Sequence, residues 1–274
     1  MNKLTMAVSS AVVALSAFPA AAATFSVGGN SITIPNGVHF EVASVYESVL
    51  NPALPLATQS LSGLGEITQI NGAPTASFCS SNCELTYRFT GYTPTALTAS
   101  TFTLSGGTYT VFLDFVTAGT ALDLNPFASA NSAADLAAAI NGTAFLNLTG
   151  HPDATGATAS GFTTSGAFGT PAFSFFAQGN LDVAAGTGIA NAAFNTNSIP
   201  TSAGPADLAF TNSASTFVVP HPAECTTTPV PTGPECIAGS ADIRGVVAVP
   251  EPGTLALLGL ALAGLGFSRR RARK

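Results

Sequence analysis

Glu84-Leu85-Thr86-Tyr87-Arg88-Phe89 alternates along its whole length: Leu85, Tyr87 and Phe89 are apolar or aromatic, while Glu84, Thr86 and Arg88 are polar. A period of two puts the first set on one face of an extended strand and the second on the other, so one face belongs in a core and one in water. The same period runs through residues 108–115, where Tyr109, Val111, Leu113 and Phe115 share a face. Gly106-Gly107 just before it reads as a turn, with residues 101–104 as the preceding hairpin strand. Further strands are expected over 40–49, 65–70, 143–149, 172–178, 208–211 and 243–249, separated by breaks rich in Gly, Pro and Asn. The pattern predicts a mainly β fold, with a sandwich or jelly-roll-like body.

One short helix interrupts the strands. Ser132-Ala133-Ala134-Asp135 is a capping-box pattern with Asp in place of the usual Glu or Gln. Leu136, Ala139 and Ile140 follow at helical spacing, and Gly142 can close the end. Residues 151–169, small and sparsely charged, read as either a flexible loop or weak edge strands. Residues 219–234, with Pro220, Pro222, Pro229, Pro231 and Pro234, read as an irregular loop.

Both ends have the composition of sorting segments. Lys3, an apolar stretch over 6–18 and the small residues Ala21-Ala22-Ala23 form a signal peptide over 1–23, which predicts export and cleavage by signal peptidase before Thr24. The other end runs Val249-Pro250-Glu251-Pro252-Gly253-Thr254, then an apolar run over 255–267, then Ser268-Arg269-Arg270-Arg271-Ala272-Arg273-Lys274. As a helix the apolar run would rise only about 20 Å, short of the roughly 30 Å hydrocarbon core, so it can enter a bilayer but anchors poorly. Gly259, Gly264 and Gly266 allow a partner helix to approach closely. The basic stop of Arg269, Arg270, Arg271, Arg273 and Lys274 resists translocation and stays cytoplasmic. Pro250 and Pro252 hold Val249 and Glu251 extended, which suits threading into a peptidase cleft, and Glu251 adds one ionic handle. Residues 24–248 remain as one exported β-rich domain.

Between residues 24 and 249 lie thirteen of the fourteen acidic residues but only two of the eight basic ones, Arg88 and Arg244, a formal charge of −11. No cationic patch exists to neutralise phosphates, so nucleic acid is excluded as a partner. Divalent cations and neutral polysaccharide remain compatible. Trp is absent, which removes the commonest stacking platform for sugar rings. Four cysteines in an exported chain favour disulfides. Of the three connectivities, the local pairs Cys79–Cys83 and Cys225–Cys236 need the least chain closure.

Chemical motifs are sparse. The sequence holds no G-x-S-x-G elbow, H-E-x-x-H zinc motif, phosphate-cradling loop or dinucleotide fingerprint. His39, His151 and His221 stand apart from one another and read as satisfied or solvent-facing. Asp114, Asp123 and Asn125 are weak calcium candidates, or simply solvated charges; no other cofactor is expected. Asn141-Gly142-Thr143 and Asn147-Leu148-Thr149 fit the N-x-[ST] pattern by chance more often than by modification.

The order Val249-Pro250-Glu251-Pro252, short apolar span and Arg cluster resembles the PEP-CTERM sorting signal. That resemblance implies recognition by an exosortase-type membrane protease, passage through the inner membrane, and delivery to the cell surface or extracellular matrix. The body is similar to the flocculation-associated PEP-CTERM proteins in the order of Glu84-Leu85-Thr86-Tyr87-Arg88-Phe89, Thr110-Val111-Phe112-Leu113-Asp114-Phe115, the Ala-rich helix, Ala144-Phe145-Leu146-Asn147-Leu148 and Gly179-Asn180-Leu181-Asp182-Val183. It implies a noncatalytic protein that promotes aggregation through exopolysaccharide and has no catalytic residues. The alternative is a secreted polysaccharide-processing enzyme.

Overall fold

The computed structural model of the chain describes residues 22–115, 132–170, 172–186, 188–215 and 237–248, without the side chains of 43–46 and 132–135. The expected leader before Ala22, the tail from Val249 onward, Cys225, Cys236, Asp123, Asn125 and His221 lie outside the described residues.

The strands in chain order are β1 (Ala22–Val27), β2 (Asn30–Pro35), β3 (Gly37–Glu47), β4 (Leu61–Ile70), β5 (Ala73–Pro74), β6 (Cys83–Leu97), β7 (Thr101–Phe115), β8 (Thr143–His151), β9 (Ala159–Gly166), β10 (Phe173–Val183), β11 (Ile199–Thr201), β12 (Gly204–Ala206), β13 (Leu208–Ser215) and β14 (Ile237–Val246). The long ones pair antiparallel in sequence order: β3 with β4, β4 with β6, β6 with β7, β7 with β8, β8 with β10, β10 with β13 and β13 with β14. Strand β14 then pairs back onto β3, with Arg244 opposite His39 and Ile243 opposite Phe40. The body is therefore a closed up-and-down barrel, not the expected sandwich or jelly roll. Alternation specifies which face of each strand is buried, but not whether two sheets stack or one sheet curls onto itself. Here closure leaves none of the eight staves at an edge.

One stave of the wall is made of two strands laid end to end. Strand β7 pairs with β8 through Thr108 and Thr149, and with β9 through Leu104 and Ala159; β10 pairs with β8 through Asn180 and His151, and with β9 through Gly179 and Ala159. Residues 152–158 loop out between them. So the stretch left open as loop or edge strand is partly wall.

Gly106-Gly107 does not turn the chain; β7 passes straight through it. Inward residues are Phe102 and Leu104 before the glycines and Tyr109, Val111 and Leu113 after them, so the side-chain parity changes there. The facing strand changes parity at the same level, from Leu85, Tyr87 and Phe89 to Tyr92. Gly91 and Gly107, at φ 77° and 92°, supply the left-handed backbone that turns both strands over together while their register holds. The real hairpin turn is at residues 98–101, where the Thr98 hydroxyl accepts from the N–H groups of Ser100 and Thr101.

One end of the barrel is plugged. The β1–β2 hairpin brings Ile32 and Ile34 to full burial, and Phe25 meets Phe145 edge-on at 5.3 Å. Phe194, from the single helical turn Asn191–Phe194, lies between Phe40 at 6.0 Å and Phe145 at 6.3 Å. The Cys79–Cys83 disulfide forms as expected. It anchors the hairpin: Cys79 bridges to Ile32, Ser80 N–H donates to the Ser31 carbonyl at 2.8 Å, and Ser31 N–H returns a bond to Ser80 Oγ. The predicted helix is present as Ser132–Ala139 and lies outside the wall, where Thr86 Oγ1 donates to the Ala139 carbonyl at 2.7 Å.

Candidate binding site in the barrel lumen

Toward the opposite end the barrel is not filled. Its staves surround a cavity in which the centres of water molecules range over about 40 Å³. Tyr87, Phe89 and Tyr92 of β6, with Phe102, Leu104 and Tyr109 of β7, make most of one wall; Phe210 and Asn212 of β13 stand on the other. Tyr87, Tyr109 and Phe89 lie nearly parallel, with Tyr87 and Tyr109 stacked 4.9 Å apart at 8° and Phe89 and Tyr109 6.1 Å apart at 5°. The Tyr92 ring occupies the space over Gly107, where a Cβ would stand 2.3 Å from it.

A carboxyl sits inside this aromatic shell. Glu47, the last residue of β3, is 1% exposed, and the Asn212 side-chain amide donates to its Oε1. Glu47 Oε2, Asn212 Oδ1 and the Tyr87 and Tyr109 hydroxyls are buried without hydrogen-bond partners. Burial pushes the Glu47 carboxyl up to about 7, against the opposing pull of the Asn212 bond. Burial also holds the Tyr87 and Tyr109 phenols well above their ordinary range, and the Glu47 charge raises both further. The phenols therefore stay protonated, while Glu47 changes charge near neutrality.

Glu47 and Asn212 were not among the expected site residues. Counted at a strict period of two from Val38, Phe40 and Val42, Glu47 falls on the outer face. A bulge between Val42 and Ser44 changes the parity and brings Glu47 inward, opposite Gly63, which has no side chain to crowd it. Asn212 lies one residue beyond the expected strand over 208–211, and continues the inward set of Leu208 and Phe210.

Two histidines that looked isolated have partners on the outer wall. His39 Nε2 meets Asp242 Oδ1 at 2.8 Å, and its Nδ1 lies 3.5 Å from Glu41. His151 Nδ1 is 2.9 Å from both oxygens of Asp182, and its Nε2 is 3.0 Å from Thr201 Oγ1. Asp, His and a hydroxyl in a row have the composition of a nucleophilic triad. The Thr201 hydroxyl, however, donates to the Gly204 carbonyl, so its proton is directed away from Nε2. Through these contacts with Asp182 of β10 and Thr201 of β11, His151 of β8 holds the β11–β12 hairpin to the wall. Asp114 faces Glu84 across β6 and β7. Among the described residues no group of three or more His, Cys, Asp or Glu is arranged to hold a metal. No described helix is long and apolar enough to cross a membrane.

The barrel's last described residues lead directly into the tail: Val247 N–H donates to the Asn36 carbonyl at 2.7 Å and Ala248 N–H to the Ala193 carbonyl at 2.6 Å. From there the chain matches a known sorting element. Residues 248–271 match the PEP-CTERM protein-sorting motif. The PEP-CTERM motif implies a protein that transits the membrane, is processed by an exosortase and is sorted to the cell surface. No curated protein and no solved structure matches the chain. The match covers the tail alone, so the likeness of the barrel to flocculation-associated proteins remains an expectation.

Proposed function

We propose that the chain is a noncatalytic surface or matrix protein that promotes floc formation by holding exopolysaccharide. In this reading signal peptidase removes residues 1–23, the exosortase system processes the tail around Val249-Pro250-Glu251-Pro252, and the acidic barrel is displayed outside the cell. No cofactor takes part. The observation that carries the reading is the sorting motif at 248–271.

The barrel's exterior supports it. Threonines pair across exposed strands: Thr90 with Thr108 at 3.2 Å and Thr95 with Thr103 at 2.8 Å on the wall, and Thr24 with Thr33 at 3.0 Å on the β1–β2 hairpin. Each pair spends one hydroxyl proton internally and leaves another proton and lone pairs for a sugar. Such bonds are weak one by one, each about 0.5–1.5 kcal/mol net, and a polymer engages many at once.

The test is a deletion of the gene in its flocculating host, complemented by the full gene and by a version lacking the tail. Dispersed cells rescued only by the full gene are expected. Flocs of normal size in the deletion strain would overturn the reading.

A further inference from the structure

The lumen has the features of a built receptor, and its polar atoms specify the ligand's head group. Glu47 Oε2 and Asn212 Oδ1 can only accept when the carboxyl is ionised, and both are buried without partners. The Tyr87 and Tyr109 hydroxyls, also buried and unpartnered, each have a proton to donate, which Glu47 can draw, and lone pairs that accept. A ligand hydroxyl offers one proton to this set. An ammonium group offers three and requires no acceptor in return.

Charge and shape point the same way. Glu47 is the only ionisable carboxyl among the fourteen lining residues, and no cation lines the space with it. The stacked faces of Tyr87, Tyr109 and Phe89 offer the ring quadrupole that attracts cations. The net acidic exported chain draws cations toward it. Beyond the polar end, the wall is Phe102, Leu104, Ala177 and Phe210, which suits an apolar body. Phe210, Asn212 and Ala241 face this space yet are only half-buried, as expected where water enters. Adding the radius of water back to the space open to water centres gives a volume on the order of 150–200 Å³, enough for a single ring with a short side chain.

We propose that the lumen binds a small hydrophobic amine, its ammonium group held between Glu47 and Asn212 and its apolar body laid against the wall of Tyr87, Tyr109 and Phe89. The site is independent of the exterior reading: floc formation can fail with amine binding intact, and the reverse.

Isothermal titration of the protein as its host exports it, at pH 8, with three probes of one shape tests this. Phenethylamine carries the cation, 2-phenylethanol is its neutral isostere and phenylacetate its anion. The amine is expected to bind at least about tenfold more tightly than the alcohol, as a charge-assisted bond to a buried carboxylate does, and the anion most weakly. Glu47→Gln keeps the volume of the side chain and should bring amine and alcohol to within about twofold of each other, with alcohol affinity unchanged. Tyr109→Phe should weaken the amine alone, and far-UV spectra confirm that each variant is folded. Equal affinity for amine and alcohol, no measurable binding of any probe, or an undiminished amine preference in folded Glu47→Gln would overturn the proposal.

Discussion

Asn212 on β13 reaches past the whole width of β14 to donate its side-chain amide to Glu47 on β3, so the barrel's closing seam is spanned from inside by one polar bond. The pair lies in a space otherwise lined by aromatic and aliphatic side chains, and its ionisation couples to the stability of the wall.

Burial raises Glu47 from 4.5 to about 7, so the folded state holds its proton more tightly than the unfolded chain does. Stability from this group is full below about pH 4.5 and is lost as pH rises to about 7, an effect of about 3 kcal/mol. The other titratable groups lining the lumen, Tyr87, Tyr92 and Tyr109, are all raised by burial and stay neutral through this window. Urea unfolding of Glu47→Gln is expected to lose this component of the pH slope and to show greater stability than wild type at pH 8. A slope unchanged by the substitution would contradict the assignment.

Asn212→Ala removes the one donor that the carboxyl has. Since that bond favours the charged form, its loss should raise Glu47 further and cost about 1–3 kcal/mol, more at pH 8 than at pH 5. Paired denaturation curves at the two pH values read both effects.

Gly107 and Gly156 share a left-handed backbone, at φ 92° and 86°, but differ in surroundings. A Cβ at Gly156 meets nothing within 4 Å, whereas at Gly107 it strikes the Tyr92 ring. Gly156→Ala should cost about 1 kcal/mol, from backbone strain alone. Gly107→Ala should cost at least about 1 kcal/mol more and shift the tyrosine near-UV circular dichroism as Tyr92 is displaced. Equal melting temperatures for the two variants would show that the ring moves freely.

Reducing the Cys79–Cys83 bond opens a loop of a few residues, which loop-closure entropy values at about 2 kcal/mol. Because the bridge sits where β1–β2 docks, hydrogen exchange should rise first at Ser31 and Ile32 and leave Val111 and Leu113 protected. Uniform loss of protection across β7 would mean that the hairpin and barrel open as one unit.

Much of the wall was legible because Leu85, Tyr87 and Phe89 and the set Tyr109, Val111 and Leu113 follow a period of two without interruption. Tyr87, Phe89 and Tyr109 also line the candidate site, but as core positions they carried no sign of it. What the sequence hid are the places where the period slips. The bulge after Val42 reverses the direction of Glu47, and the paired glycines Gly91 and Gly107 carry strands onward where Gly-Gly ordinarily signals a turn. Closure was hidden for another reason: the pairing of β3 with β14 is a contact between distant segments, and no local pattern records it. The His151 clamp likewise assembles from β8, β10 and β11.

The meander order has a bearing on when this protein can fold. Secretion delivers β3 early and β14 last, and the circle of backbone bonds is complete only when those two meet. Until then the sheet has two open edges and an exposed aromatic interior, the condition in which strand proteins aggregate. The sorting motif begins at residue 248, two residues after β14 ends. The segment that addresses the protein therefore also marks the moment at which the last stave has left the cell, so departure from the membrane and completion of the barrel fall at the same point in the chain.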